Sequence, residues 1–479
     1  MADRDASRLF ARLITSLKYE DLPAQVVELA RKSILDTIGV IVAASGLAHE
    51  PREVVELAIE EGGKEESSVL GYGAKLPCYM AAFANGAMSH ALDFDDVGML
   101  DGDVWGHVGA TSMPAALATA ERVGGVSGKE LLVAVAVAHE VLFRMGIAGL
   151  RGDPSARNDW YFPPLFGTFA ATAASGRLLG LNEEQMVNAF GIALTQAAGT
   201  KEIGLATRAT IRAMYNAFPA KTGVLSCLMA QRGVVATENS LQGKAGFFPV
   251  YFRGQYDAAR LAGELGTRWE SLSLGFKAWC ACVHNHRYID AALQIMKENS
   301  VSKDMVKQVT AYTNEYLQSM VGGPLEEKRR PRNAIAAKFS LPFTLAIAVA
   351  RGWVSLRDYS AEGLKDPEVL ALADRVVTQI HPDVGLVRMT TVDGKAYSKQ
   401  VARPLGSPEK PLTAEQIEAK FRDCVTHSLS PLQPGAADRV IALVRRLEEV
   451  SDVREVIRLV APAGTERVMA GPSPKHANS

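Results

Sequence analysis

The stretch MAAFANGAMSHALDFDDVGMLDGDVWGHVG, at residues 80–109, decides the expected fold and the expected site. Its first half is rich in alanine and glycine. It then carries three carboxylates, Asp93, Asp95 and Asp96, followed by His107. An apolar run that ends in clustered acidic groups and a histidine is the most informative segment of the chain.

Helical spacing over residues 80–93 would place Gly86, His90, Asp93 and Val97 along one stripe. Small residues would let such a helix sit deep in the fold. A buried carboxylate is costly unless it is paired or hydrogen-bonded, so these acidic groups indicate a functional site. An exposed acidic end of a helix is the alternative interpretation.

The whole chain has 479 residues, 48% of them hydrophobic, which is enough for two or three domains and a large core. Its 52 Lys and Arg residues balance 53 Asp and Glu residues. This balance predicts no nucleic-acid partner and no anionic membrane partner. An anionic ligand must therefore be held by local basic groups.

Five scattered cysteines, an odd number, predict a reducing compartment without a disulfide framework. The N-terminal residues are charged and lack the apolar core of a signal peptide. No apolar run approaches the ~20 residues that span a bilayer. We therefore expect a cytoplasmic protein.

Two motifs in the opening stretch, SHALDFDD at residues 89–96 and WGH at residues 105–107, resemble the signature of the MmgE/PrpD family. Known reactions in this family are dehydration of 2-methylcitrate, decarboxylation of cis-aconitate and epimerisation of iminodisuccinate. The resemblance extends through most of the chain. It implies a mainly α protein, with a large all-helical domain and a smaller α+β lid domain.

The expected boundaries combine this resemblance with changes in the sequence pattern. We expect the helical domain at 1–270, the lid at 271–403, C-terminal helices that return to the helical domain at 404–462, and a disordered tail at 463–479. The site should lie between the two lobes. The resemblance also implies a homodimer.

Secondary structure is clearest in the second half. β-Branched runs predict strands at 306–313 and 375–380, and Asp393-Gly394 predicts a hairpin between 386–392 and 395–401. We further expect a solvated loop at 326–332, one helix over 334–351, and a capping box at Thr413–Gln416.

Several positions differ from the residues that the resemblance leads us to expect. Tyr161 stands where the family usually has a histidine near the substrate, Arg212 stands at a lysine position, and Tyr215 stands at a second histidine position. Arginine keeps the positive charge and offers a planar fork for a carboxylate, but it cannot donate a proton near neutral pH. We predict that Arg212 clamps a substrate carboxylate; a solvated arginine on a helix face is the alternative.

The segment FKAWCACVHNHRYIDAALQIM at residues 276–296 also resembles the family pattern. The resemblance makes Lys277 a second carboxylate binder and His286 a second acid or an orienting group.

The same segment carries four side chains of the types that bind metals. On a strand, its alternating Cys and His side chains would share one face, spaced about 6.6 Å per pair along the axis. That spacing is too long for one tetrahedral metal, so we expect no metal and no cofactor. The side chains in question are Cys280, Cys282, His284 and His286.

The implied activity is a 2-methylcitrate dehydratase-like hydro-lyase that acts on a small di- or tricarboxylic hydroxy acid without metal. Asp93 and His107 are the leading acid/base candidates. A decarboxylase or an epimerase on the same scaffold is one alternative. A catalytically inactive binding protein is another, because Val97, Tyr161 and Arg212 all depart from the family pattern.

Overall fold

The computed structural model describes residues 5–100, 103–205 and 209–461. The predicted tail at 463–479 lies outside these residues. Within them the protein is mainly α. The helices before residue 270 are α1 Ala6–Ser16, α2 Ala24–Leu47, α3 Arg52–Glu61, α4 Cys78–Met88, α5 Gly109–Val123, α6 Gly128–Gly152, α7 Phe162–Leu178, α8 Glu183–Leu194, α9 Glu202–Leu205, α10 Ile211–Met214, α11 Ala217–Gln231, α12 Phe247–Tyr251 and α13 Ala258–Ala262.

The remaining helices are shorter on average and mix with strands. They are α14 Val283–Glu298, α15 Glu315–Leu317, α16 Leu325–Arg329, α17 Ala334–Lys338, α18 Leu341–Arg351, α19 Pro367–Ala373, α20 Ala414–Val425, α21 Ala436–Arg445 and α22 Arg454–Val460. The strands are β1 Ser67–Val69, β2 Ala74–Leu76, β3 Asp96–Leu100, β4 Asp103–Gly106, β5 Leu274–Phe276, β6 Val306–Thr313, β7 Val376–Ile380, β8 Leu386–Thr391 and β9 Ala396–Gln400.

Helices α4, α5, α6, α7 and α11 pack together as the core of the N-terminal half. Small residues permit this close packing: a Cβ added at Gly223 of α11 would lie 2.5 Å from the backbone of Ala171 in α7. Helix α6 is long and apolar enough to span a membrane, and its most apolar window is wholly buried inside the fold. It therefore serves as the central core helix.

A small three-stranded sheet, ordered β4-β3-β5, connects the two halves of the chain. Strands β3 and β5 pair antiparallel, with Asp96 opposite Phe276. This register places Lys277, which follows β5, beside the acidic cluster that precedes β3. Pairing over a long sequence separation thus builds one wall of the site.

The second sheet has the order β7-β6-β8-β9. Strand β6 runs parallel to β7 and antiparallel to β8. The strands predicted at 306–313 and 375–380 and the hairpin at Asp393-Gly394 are confirmed, with Gly394 at a φ of 87° in the turn. Helices α14 and α18 pack against this sheet.

The single helix predicted over 334–351 is wrong. Helix α17 ends at Lys338, and α18 begins at Leu341, with the Ser340 side chain accepting a hydrogen bond from Phe343 N. Ser340 caps α18, and Pro342 lacks the N–H that a continuous helix would need. The loop predicted at 326–332 is also wrong in part, because α16 covers residues 325–329.

The C-terminal helices pack against the N-terminal half. In α20, Lys420 lies 2.6 Å from the buried carboxylate of Asp36, and Phe421 packs on Gly39 of α2. The predicted capping box is confirmed, since Thr413 and Gln416 exchange side chain-to-backbone hydrogen bonds of 2.9 and 3.2 Å. The domain boundaries and the lid stay predictions.

Candidate active site

Asp93 lies in a turn after α4, not on a continuing helix, so the helix predicted over residues 80–93 is wrong beyond Met88. Asp93 has a φ of 51°, in the left-handed region that aspartate tolerates better than most residues. Its backbone N–H donates to His90 O at 2.8 Å. The turn ends the stripe and buries the Asp93 carboxylate.

Lys277 forms a buried ion pair with Asp93. Its ammonium contacts the Asp93 carboxylate, donates to the Asp93 carbonyl oxygen at 3.0 Å, and lies 3.8 Å from Asp95. Burial works against the charge of Asp93, but Lys277 outweighs it and holds the pKa of this carboxyl below its usual range. Burial also opposes the charge of Lys277, yet Asp93 and Asp95 raise its pKa. Both groups are therefore ionised.

Asp95 lies between two histidines. Its fully buried carboxylate lies 2.8 Å from Nδ1 of His90 and 2.9 Å from Nδ1 of His107, and the two rings are 4.3 Å apart. Burial disfavours the Asp95 charge, but His90, His107 and Lys277 hold its pKa well below the usual range. Burial lowers the pKa of His90. The cluster is an ionised carboxylate that orients two imidazoles.

His107 is left with one nitrogen free. Its Nδ1 faces both Asp95 and the Asp96 carbonyl oxygen, the latter at 3.1 Å, so Nδ1 carries the proton of the neutral ring. In the part of the chain that the structure describes, Nε2 has no hydrogen-bond partner. That geometry suits a general base.

Asp96 fixes the turn that carries His107. Its carboxylate accepts hydrogen bonds from Val108 N at 3.1 Å, Gly109 N at 2.9 Å and Ser33 Oγ at 3.0 Å. Burial and the nearby Asp95 raise the pKa of Asp96 to about 7. Asp96 therefore holds the start of α5, which begins at Gly109.

Tyr161 and Tyr215 form an aromatic wall beside the histidines. Tyr161 precedes α7 and lies 4.9 Å from the Tyr215 ring, which in turn lies 5.2 Å from His90. Burial raises the pKa of both tyrosines, so their hydroxyls stay neutral. A chain of ring contacts through Tyr215 and His90 thus connects the predicted site residue Tyr161 to His107.

Arg212 approaches the site from α10. Its guanidinium stacks on the Phe339 ring at 4.2 Å, and its charge acts on Tyr161 and Cys282. No carboxylate pairs with Arg212 among the described residues. Stacking therefore holds the guanidinium in place while its N–H groups remain available for an anion.

His286 is buried on the first turn of α14. Its Nε2 lies 3.3 Å from the Ala281 carbonyl oxygen, and its ring packs on Trp279 at 5.2 Å. Burial, followed by the charge of Lys277, lowers the pKa of His286 to about 3. A neutral His286 closes the turn before the helix.

The strand geometry assumed for the Cys/His set is wrong, because β5 ends at Phe276, the chain bends at residues 278–281, and α14 begins at Val283. A different trio, His90, Asp95 and His107, has ligand atoms within 4.8 Å of one another. Both Nδ1 atoms already face Asp95, however, and the Lys277 ammonium nearby would repel a cation. The absence of a metal stays a prediction.

Comparison with known proteins gives two family matches that together cover most of the chain. The sequence model of the MmgE/PrpD N-terminal domain matches residues 8–259, and that of the C-terminal domain matches residues 279–449. The chain belongs to the MmgE/PrpD family. The resemblance seen in the sequence motifs is therefore confirmed.

Several curated relatives of this MmgE/PrpD protein span nearly its full length. Cis-aconitate decarboxylase of Aspergillus terreus is 27% identical over 93% of this chain and 94% of its own. Cis-aconitate decarboxylase of Homo sapiens is 26% identical over 97% of this chain and 94% of its own. The 2-methylcitrate dehydratase of Salmonella typhimurium is 24% identical over 76% of this chain and 76% of its own.

Three residues of this MmgE/PrpD site were missing from the predicted set: His90, Asp95 and Tyr215. The sequence carried a signal for the first two, since both stand in the opening motif. Their pairing depends on the turn after α4, which helical spacing did not predict. Tyr215 carried a signal through the resemblance, because it stands where the family commonly has a histidine.

Proposed function

We propose that this protein is a metal-independent hydro-lyase acting on a small di- or tricarboxylic hydroxy acid, as in 2-methylcitrate dehydratase. The named relatives are lyases, and the chain is a lyase of their family. The observation that carries the proposal is the free Nε2 of His107, held in place by Asp95.

The reaction needs one base and one way to release hydroxide as water. His107 Nε2 takes the proton from the carbon next to a carboxylate, and the electron pair forms the C=C bond as the C–O bond breaks. The imidazolium then gives its proton to the departing hydroxyl, so that water leaves. The ionised Asp95 stabilises the transient positive charge on His107.

The remaining groups bind and orient the substrate. Arg212 binds one carboxylate and stabilises the charge that develops on it. Asp93 Oδ2 is buried without a hydrogen-bond partner among the described residues, which suits it to accept from the substrate hydroxyl. Lys277 donates two of its three ammonium N–H groups to Asp93, which leaves one N–H for a substrate carboxylate.

Two further residues complete this proposal. Tyr161 offers a neutral hydroxyl at the edge of the site. His286 acts as an orienting group, because its low pKa leaves it neutral and its ring fixes Trp279.

A decarboxylase is the second candidate. Cis-aconitate decarboxylases align with 93 to 97% of this chain, whereas the 2-methylcitrate dehydratases align with 64 to 76%. Decarboxylation also leaves electron density next to a carboxylate, so Arg212 and His107 would serve it as well.

An assay on a panel of hydroxy tricarboxylates and cis-enoic tricarboxylates separates these candidates. The proposal predicts an ultraviolet-absorbing enoate from a β-hydroxy acid without carbon dioxide. Release of carbon dioxide identifies the decarboxylase, and solvent deuterium uptake with inversion identifies an epimerase. No turnover of any acid would identify a binding protein.

We also infer a homodimer in the cytoplasm. Phe218, Leu225 and Met229 lie along one face of α11 and are 48%, 39% and 37% exposed, an apolar stripe that supports an interface between two copies. All five cysteines are free and buried, which supports a reducing compartment. Light scattering should give twice the chain mass of 51.4 kDa, and Leu225→Glu should halve the measured value.

A further inference from the structure

Lys338 is a buried lysine without a counter-ion. It ends α17 and is 4% exposed. Its carbonyl oxygen accepts hydrogen bonds from Cys282 N at 3.0 Å and Asn285 Nδ2 at 3.1 Å, which fix its backbone against the start of α14. Within residues 5–100, 103–205 and 209–461, its ammonium has no carboxylate at ion-pair distance and no hydrogen-bond acceptor. The ammonium is not among the unpaired side-chain atoms that are closed off from solvent, so an anion can reach it and form a charge-assisted hydrogen bond.

Tyr359 supplies a second unmet donor beside Lys338. The Lys338 ammonium lies 5.8 Å from the centre of the Tyr359 ring, near the outer limit of about 6 Å for a cation–π contact. The Tyr359 hydroxyl is buried and has no hydrogen-bond partner among the described residues. Burial raises the pKa of Tyr359 well above its usual value, so the hydroxyl is a neutral donor. The two side chains present a cation and a hydroxyl without an acceptor.

This pair adjoins the candidate active site. The next residue, Phe339, stacks on Arg212. On the other side, Cys280 donates to the carbonyl oxygen of Leu92, which precedes Asp93. Burial raises the pKa of Cys280 to about 11, and Lys338 is the strongest of the charges that oppose this rise. Lys338 therefore adjoins residues that contact Arg212 and the turn that carries Asp93.

We propose that Lys338 and Tyr359 form a further anion subsite, separate from Arg212 and Lys277, which binds another carboxylate of the substrate. The subsite would select acids with at least two carboxylates over monocarboxylates. This inference rests on the proposed function, because it names the substrate class of that same site.

Calorimetric titration of the full chain at pH 7 tests this subsite without turnover. The probes are tricarballylate, which has three carboxylates and no hydroxyl to lose, and butyrate, which has one. The variants are Lys338→Met, Lys338→Arg and Tyr359→Phe, with Lys307→Met on an exposed position of β6 as the matched loss of charge. Near-ultraviolet circular dichroism checks that each variant is folded.

We expect Lys338→Met to weaken tricarballylate binding at least 10-fold while butyrate binding changes little, since a hydrogen bond to a charged group is lost. Lys338→Arg should restore part of the affinity, and Lys307→Met should match the wild type. The subsite is overturned if folded Lys338→Met binds tricarballylate as tightly as the wild type, or if it loses affinity equally for tricarballylate and butyrate. A wild type that binds no tricarballylate overturns it as well. Binding that depends on Lys338 in a protein that turns over no acid would sustain the subsite and refute the lyase.

Discussion

The fully buried carboxylate of Asp95 lies 2.9 Å from Nδ1 of His107. The Asp96 carbonyl oxygen, 3.1 Å from the same Nδ1, fixes which nitrogen of His107 carries the proton. Asp95 places a negative charge beside a ring that must become positive if it takes a proton from the substrate. Asp95 therefore acts through His107.

Replacing Asp95 with asparagine keeps the shape of the side chain and removes its charge. We expect Asp95→Asn to lower kcat by about 10²- to 10⁴-fold with little change in KM, because the imidazolium is no longer stabilised. Steady-state kinetics measure both constants. Asp438→Asn, at an exposed position of α21, is the matched control. A wild-type kcat in folded Asp95→Asn would show that the contact is only structural.

Removing the Arg212 side chain should mainly affect substrate binding. Charge-assisted bonds to a carboxylate are the strong ones, so Arg212→Ala should raise KM by about 10- to 100-fold, and Arg212→Lys should restore part of that loss. Thermal shifts with tricarballylate provide a second readout. Arg439→Ala, an exposed arginine of α21, controls for loss of charge. An unchanged KM together with an unchanged thermal shift would make Arg212 a surface residue.

Activity should not depend on a metal ion. The His90, Asp95 and His107 trio has suitable spacing, but Lys277 lies 3.8 Å from Asp95 and opposes a cation. We expect less than one equivalent of zinc or iron per chain, and full activity after EDTA treatment and buffer exchange. Stoichiometric metal that is lost in His90→Gln, together with the activity, would contradict this.

The buried His139 should make stability depend on pH. Burial lowers the pKa of His139 to about 3, whereas an unfolded histidine titrates near 6.5. Between these values the unfolded state takes up a proton that the folded state does not, so the contribution of His139 to stability falls as pH falls. Asp96, with its pKa raised to about 7, acts in the opposite direction, so the wild-type curve alone is not diagnostic.

The comparison of wild type with His139→Gln isolates this contribution. The difference in the free energy of unfolding should shrink by about 1.4 kcal/mol per pH unit as pH falls from 6.5 to 4.5. Urea denaturation at several pH values measures it. A difference that stays constant with pH would mean that folded His139 titrates normally.

Much of the fold followed from local patterns. Strand β6, the hairpin around Gly394 and the capping box at Thr413 depend on residues close together in sequence, and all were predicted. The helix over 334–351 failed because the apolar pattern continues through Ser340 and Pro342, and those two residues stop the helix by capping and by a missing donor.

The site was less accessible to such reasoning. Asp93, His107 and Arg212 were found through motif resemblance. The partners that define their chemistry come from distant parts of the chain: pairing of β3 with β5 brings Lys277 to Asp93, and Phe339, which follows α17, stacks on Arg212 of α10. Periodicity within one segment carries no information about such contacts, which is also why Asp95 was not recognised as the residue that orients His107.

The most direct test of the central claim is the product formed from a citrate-like β-hydroxy acid by wild type and by His107→Gln, followed as enoate absorbance with carbon dioxide measured in parallel. We predict enoate without carbon dioxide in the wild type and a loss of about 10²- to 10⁴-fold in His107→Gln, with the variant still binding tricarballylate. Carbon dioxide as a stoichiometric product, or a folded His107→Gln that forms enoate at the wild-type rate, would contradict the claim.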